Sequence, residues 1–287
     1  MQIREKFDQK PCVFSLEVFP PKKAGATVES LYPTLDAMCQ LHPDFISVTY
    51  GAGGGPASDA TGQIAAHIKN DLHVESLAHL TCVNATRAQV AHTLDVLQQN
   101  HVENILALRG DLNPDVPRQT DFLHASDLAA EILRRGSFGV AGACYPEGHV
   151  ESDTLRQDVE NLRFKQEAGV SHLITQLFFD NISYYRFLNL ARKCGIHLPV
   201  QAGIMPIVNK RQVQRTVALS SASLPSAFTK MLSRYDQDEA ALFDAGIDYA
   251  ITQIRDLIEG GADGIHLYAM NNAEVAARVY AGIQDLL

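Results

Sequence analysis

The feature that most constrains this chain is an alternation. Short apolar runs rich in β-formers take turns with longer amphipathic stretches from one end to the other. Val13–Phe19 predicts a strand, and Thr27–Leu41 a helix in which Leu31, Leu35 and Met38 recur at helical spacing. Further strands are predicted over Phe45–Tyr50, Val74–Leu80, Asn104–Leu108, Gly139–Tyr145, His172–Phe178, Val200–Met205 and Gly264–Tyr268. Between and after them, helices are predicted over Ala57–Lys69, Arg87–Gln99, Ala125–Arg135, Asp153–Ala168, Ser183–Lys193, Lys210–Ala218, roughly Glu239–Glu259, and Glu274–Ile283. Ala168-Gly169 and Gly260-Gly261 mark helix exits that lead straight into strands. Eight strands alternating with helices over 287 residues predict an α/β fold, a (β/α)8 TIM barrel with an extra helical segment before the last strand. A doubly wound open sheet is the structural rival, weakened because no G-x-G-x-x-G follows the first strand. No linker, repeat or low-complexity stretch divides the chain, so one domain is expected over 1–287.

Composition narrows the function. With 46% hydrophobic residues the chain can bury a sizeable core. Lys and Arg total 24 against 33 Asp and Glu, a net charge of −9, which argues against a nucleic-acid binder. Anionic small ligands stay open, since a local pocket can oppose the global sign. The five cysteines are scattered, with no C-x-x-C pair, and read as reduced thiols. Met1–Lys10 is charged and lacks an apolar signal core, and no apolar stretch is long enough for a bilayer. A cytoplasmic protein without membrane contact is expected, and a homo-oligomer is compatible with the sequence.

Active sites of such barrels lie at the C-terminal ends of the strands. That rule selects Glu17, Thr49, Tyr50, His79, Arg109, Gly110, Asp111, Tyr145, Glu147, Gln176, Met205 and Tyr268. Polar and ionisable groups thus stand at almost every strand end, more than a purely structural barrel needs. On the fifth helix, Asp158, Asn161 and Lys165 share one face at spacings of three and four.

Phe14-Ser-Leu-Glu17-Val-Phe-Pro-Pro21 resembles the opening motif of methylenetetrahydrofolate reductases, as Ser47-Val-Thr49-Tyr-Gly-Ala52 resembles their second. His79-Leu-Thr-Cys82, Ala107-Leu-Arg109-Gly-Asp111, Ala125-Ser-Asp-Leu128, Tyr145-Pro-Glu-Gly-His149, Thr175-Gln176-Leu-Phe-Phe-Asp180, Gly203-Ile-Met-Pro206 and His266-Leu-Tyr268-Ala-Met-Asn271 continue the likeness in family order over nearly the whole chain. The chain departs from many members at His124, where they carry Tyr, and at Asn272, where they carry a basic residue. The long C-terminal regulatory region of animal relatives is not expected here.

The resemblance implies an oxidoreductase that reduces 5,10-methylenetetrahydrofolate to 5-methyltetrahydrofolate with NAD(P)H, through FAD, in a ping-pong sequence. It implies that FAD is held by Thr49, His79, Leu108, Arg109, Gly110, Asp111, His124, Ala125, Tyr145, His149, Asp158, Asn161 and Lys165. It implies Glu17 and Asp111 as catalytic residues, and Glu17, Asp111, Gln176 and Tyr268 as substrate contacts. A carboxylate flanked by Leu16 and Val18 would be partly desolvated near a flavin, which raises its pKa and suits a general acid. Asp111 would favour hydride release by the flavin. The Asn161-Leu-Arg-Phe-Lys165 match favours FAD over FMN.

Blander readings stand beside these. From the residues alone, Glu17 reads as an ion-pair partner at the rim, Asp111 as a turn cap, Arg109 as a salt-bridge partner and His79 as a structural histidine. The Asp158 face reads as solvated. A metal site from His79, His149 and Asp111 lacks supporting spacing. Gly53-Gly-Gly55 reads as an active-site turn, and the stretch Ser220–Asp238 as a lid or a plain surface excursion. Two other functions remain: a metal- or Schiff-base-dependent barrel aldolase or hydrolase, and a one-carbon subunit active only within a larger complex.

Overall fold

The computed structural model describes residues 1–23, 25–50, 56–112, 119–213, 216 and 222–287. Eight parallel strands close into a barrel in sequence order. They are β1 (Val13–Val18), β2 (Phe45–Val48), β3 (Glu75–Thr81), β4 (Asn104–Leu108), β5 (Gly139–Cys144), β6 (His172–Thr175), β7 (Val200–Ile204) and β8 (Gly264–Leu267). Closure comes from β1 pairing with β8, Val13 beside Gly264 through Leu16 beside Leu267.

Helices clothe the outside. The longer ones are α2 (Tyr32–Cys39), α3 (Pro56–Asn70), α4 (Arg87–Gln99), α5 (Ala125–Arg135), α6 (Leu155–Glu167), α7 (Asn181–Lys193), α8 (Ser226–Arg234), α9 (Glu239–Glu259) and α10 (Ala273–Ala281), after the one-turn α1 (Lys6–Gln9). The extra segment before β8 is therefore α8 followed by α9. The period-two alternation of each strand divides its side chains. On β1, Phe14, Leu16 and Val18 pack into the layer under the helices, whereas Val13 joins Phe45, Leu77, Leu106, Ala141 and Ile174 within the barrel. Burying each large side chain contributes about 1.5–3 kcal/mol. The helices start where capping chemistry allows. Thr86 accepts the Gln89 N–H, and Gln89 Oε1 takes the Thr86 N–H at 2.8 Å, a reciprocal cap worth about 1 kcal/mol. After α6, Gly169 turns the chain at φ +94°, where other residues are strained.

Several boundaries differ from expectation. Strands end earlier: β2 stops before Tyr50, β6 at Thr175 and β8 before Tyr268, each followed by one last backbone bond, from the N–H of Thr49, Gln176 and Tyr268 to Val18, Cys144 and Ile204. The expected helix Lys210–Ala218 is helical over 210–213 and at 216, and its remainder lies outside the described residues, as does Gly53-Gly-Gly55. Within the stretch expected as a lid or excursion, α8 buries Phe228, stacked 4.4 Å from the Phe179 ring. That segment is a packed helix. The charged N-terminus, with no expected structure, plugs the barrel floor. Ile3 is fully buried, and its N–H donates to Asn104 Oδ1 at 2.8 Å.

None of the five cysteines forms a disulfide. Among the described residues, no helix is long and apolar enough to cross a membrane.

Candidate active site

The C-terminal mouth holds three adjoining cavities of about 480, 400 and 310 Å³. Leu108 and Tyr145 line all three, so together they form one trough. Of the site residues selected from the sequence, all but Glu147 line part of it; the Glu147 carboxylate instead accepts the Ser223 N–H at 3.0 Å.

The inner end draws on the C-terminal ends of all eight strands, and Glu17, Thr49, His79, Gln176, Met205 and Tyr268 are among the residues that line it. Glu17 shares the inward parity of Val13 and Ser15, and its side chain keeps 19% of its surface exposed. Its Oε2 lies 3.5 Å from His79 Nε2 and 3.6 Å from His266 Nε2. Burial, above all, lowers the His79 pKa from 6.5 to about 4, with the Glu17 charge pulling it up and His266 pushing it down. At neutral pH His79 is therefore an uncharged imidazole facing a carboxyl group, and no ion pair forms. Its buried Nε2 makes no hydrogen bond among the described residues, so a polar atom faces the cavity for a ligand to meet.

Tyr268 donates its hydroxyl proton to the Thr175 carbonyl at 2.8 Å. Burial holds its pKa well above the ordinary 10. The phenol oxygen can therefore only accept from a ligand. Gln176 Oε1 takes the N–H of Leu177 at 2.9 Å, leaving the amide NH2 as the group a ligand would meet. Gly203 is wedged between these elements. A Cβ there would stand 2.4 Å from the Thr175 carbonyl oxygen and 2.7 Å from the Tyr268 ring. Gly203→Ala is expected to cost about 1–3 kcal/mol of stability and to push Tyr268 off Thr175. Thermal unfolding checks this, and an unchanged Tm would show that β6 and β8 yield without cost.

The middle of the trough is lined by Thr49, His79, Thr81, Asn84, Gly110 and Asp111, with Arg109 beside them. Gly110 sits at φ +88°, and a Cβ would meet Thr81 at 3.1 Å, so the β4 exit closes tightly on β3. Arg109 is held by Glu151 in a bidentate pair whose Nη2–Oε1 arm is 2.8 Å. The ion-pair reading thus holds for its side chain. Asp111 is exposed at the rim.

The outer end runs between α5 and α6, lined by His124, Ala125, Tyr145, His149, Asp158, Asn161, Phe164 and Lys165. The Tyr145 and His149 rings meet edge to face at 4.7 Å. The face shared by Asp158, Asn161 and Lys165 is solvated only in part: Asn161 is exposed and Lys165 half-buried. Asp158 is only 8% exposed. It accepts the His149 N–H at 3.2 Å and the Ser152 hydroxyl at 3.3 Å, so it shapes the loop after β5. Lys165 Nζ donates to the Ala143 carbonyl, and burial lowers its pKa below 10.5 while Cys144 and Asp158 oppose the shift. His124 occupies the N-cap position of α5. Asn272 is used locally: its Oδ1 caps α10 by accepting the Glu274 and Val275 N–H groups.

Sequence reasoning passed over Ser15, Asn84, Glu151 and Phe164, and assigned no role to His266. Two of these were signalled, because Ser15 and His266 are polar residues inside otherwise apolar strands. Among the described residues, no three His, Cys, Asp or Glu side chains are arranged to hold a metal ion.

The family model of methylenetetrahydrofolate reductases matches residues 2–284. The chain belongs to this family. It is 34% identical over 262 residues to the 5,10-methylenetetrahydrofolate reductase of Pectobacterium carotovorum subsp. carotovorum, covering 91% of this chain and 87% of that one. It is 33% identical over 285 residues to methylenetetrahydrofolate reductase (NADH) 1 of Arabidopsis thaliana, covering 94% of this chain and 48% of the plant protein. A solved structure of an uncharacterized Clostridium thermocellum protein that binds two copies of 5-methyl-5,6,7,8-tetrahydrofolic acid superposes with a TM-score of 0.70 over 99% of both chains. At 12% identity that likeness shows the fold.

Proposed function

We propose that the whole barrel is one flavin-binding catalytic unit that reduces 5,10-methylenetetrahydrofolate to 5-methyltetrahydrofolate with NAD(P)H, in the cytoplasm. The observation that carries this reading is Glu17, partly buried against two histidines at the inner end of a continuous trough, in a chain of this family.

The residues present suit FAD. The adjoining cavities of about 480 and 400 Å³ give room for a dinucleotide, and the buried His79 Nε2 awaits a polar partner. Lys165, with the N-terminus of α5 at Ala125, offers positive potential for phosphate at the outer end. Thr49, His79, Leu108, Arg109, Gly110, Asp111, Tyr145 and His149 would hold the ring and its near side. His124, Ala125, Asp158, Asn161 and Lys165 would hold the far side. When bound, FAD supplies a carrier that takes hydride from the nicotinamide and passes it to the one-carbon unit.

The chain's own groups do the rest. Glu17 holds the proton that opens the five-membered ring of the folate to an iminium. Gln176 offers a donor and Tyr268 an acceptor, which orient a pterin or a carboxamide. Asp111 places a negative charge at the rim, where it can bond the pterin. One mouth serving the nucleotide and the folate in turn predicts ping-pong kinetics.

The test is an anaerobic spectrum of the FAD-loaded chain. NADH or NADPH is expected to bleach the flavin, and methylenetetrahydrofolate to restore it. A chain that stays colourless after incubation with FAD overturns the reading in favour of a barrel aldolase or hydrolase.

A further inference from the structure

We propose that Gln201 is a positioning residue that, through Ser15, holds His266 in the tautomer whose Nε2–H points at Glu17. The inference rests on the acid role of Glu17 proposed above.

Gln201 lies on β7 and is fully buried inside the barrel. Room for it is made by Gly264, where a Cβ would stand 2.8 Å from Gln201 Cγ. Its Nε2 faces three oxygens: Ser15 Oγ at 3.1 Å, the Val13 carbonyl at 3.3 Å and the Ile265 carbonyl at 3.4 Å. Its Oε1 has no partner among the described residues. Rotating the amide by half a turn would set its carbonyl oxygen against the Val13 and Ile265 carbonyl oxygens, which only accept, so the NH2 group must face them.

An amide NH2 only donates, so Ser15 Oγ accepts from Gln201. The Ser15 hydroxyl then has its own proton to place. Its nearest acceptor is His266 Nδ1 at 2.6 Å, while the Ile265 carbonyl stands at 3.4 Å and is already faced by Gln201. With Nδ1 accepting, the imidazole carries its proton on Nε2. That N–H faces Ser47 Oγ at 3.3 Å and Glu17 Oε2 at 3.6 Å. In this state Nε2 has no lone pair to take the Glu17 proton, which is therefore kept for the substrate. After the proton leaves, the same N–H faces the carboxylate. The other titratable groups around His266 are His79, His172 and Tyr268.

Without the Gln201 donor, Ser15 is free to turn its proton to the Ile265 carbonyl. His266 can then carry its proton on Nδ1 and present a bare Nε2 to Glu17. The test is a nitrogen-15 spectrum of the full chain loaded with FAD and labelled at histidine, at pH 8. The His266 signals are identified by their loss in His266→Gln. Protonated and bare ring nitrogens resonate in separate regions. The expected wild-type result is a bare Nδ1 and a protonated Nε2, and Gln201→Leu should move a large fraction to the opposite tautomer. Gln201→Met provides a second variant of similar shape should the first fold poorly. A proton on Nδ1 in the wild-type chain overturns the proposal, as does an unchanged tautomer in both variants. A second readout is the pH profile of the folate half-reaction, expected to move by about half a unit or more when the tautomer changes. Failure of the acid reading would look different: the tautomer would respond to Gln201 as expected, yet Glu17→Gln would leave folate turnover intact.

Discussion

Glu17→Gln is expected to slow reoxidation of the reduced flavin by methylenetetrahydrofolate by about 10²–10⁴-fold, the usual contribution of a positioned general acid. Reduction of the flavin by NADH or NADPH should stay within a few-fold of the wild-type rate, because hydride delivery from a nicotinamide needs no proton from this group. The substitution keeps the size of the side chain, so the contacts at 3.5 Å to His79 and 3.6 Å to His266 remain in place. What changes is the ability to hand over a proton. Stopped-flow measurement of the two half-reactions separates the cases. Equal losses in both would remove Glu17 from the acid role and leave it as a group that shapes the cavity.

Lowering the pH from 8 to 5 is expected to take about 4 kcal/mol from the stability of the fold, through two histidines buried in the barrel. Burial lowers His79 to about 4, against the pull of Glu17. Burial again comes first for His172, lowered to about 3, with His266 and Arg4 adding to the shift. In the unfolded chain both titrate near 6.5. Below that value the unfolded state binds protons that the folded state refuses. The stability is therefore whole above about 6.5 and is lost as pH falls towards the folded values. Each histidine contributes about 2 kcal/mol of that loss by pH 5. His172 packs 5.1 Å from the Phe7 ring, and its Nε2 has no partner among the described residues. His172→Phe should cut the difference between pH 8 and pH 5 by about half in urea unfolding. An undiminished difference would place the pH sensitivity elsewhere.

Much of the architecture was legible because it is written in local spacing. Arg87–Gln99, Asn104–Leu108 and Ala125–Arg135 carry a helical or strand period together with their own caps and breaks, and those bounds match the structure. Strand ends were less legible. Gln176 and Tyr268 still donate their N–H groups to Cys144 and Ile204 of the neighbouring strands, and nothing local marks where those strands part. The N-terminal plug was invisible for a related reason. Ile3 and Phe7 are isolated apolar residues among polar and charged ones, and only the barrel floor gives them a place to pack.

The same division runs through the site. Inward parity on β1 and the order of the motifs point to Glu17, His79, Asp111 and Tyr268 without any coordinates. Local spacing and motif order were thus enough to read off the fold class and most of the residues that line the trough. Which groups meet was set by closure of the barrel: Arg109 with Glu151, Asp158 with the loop after β5, and Glu17 with His266. Period and capping act over a few residues and so are encoded locally. The meeting of Ser15, Gln201 and His266 depends on closing β1 onto β8 across most of the chain, and that register is set by the barrel as a whole.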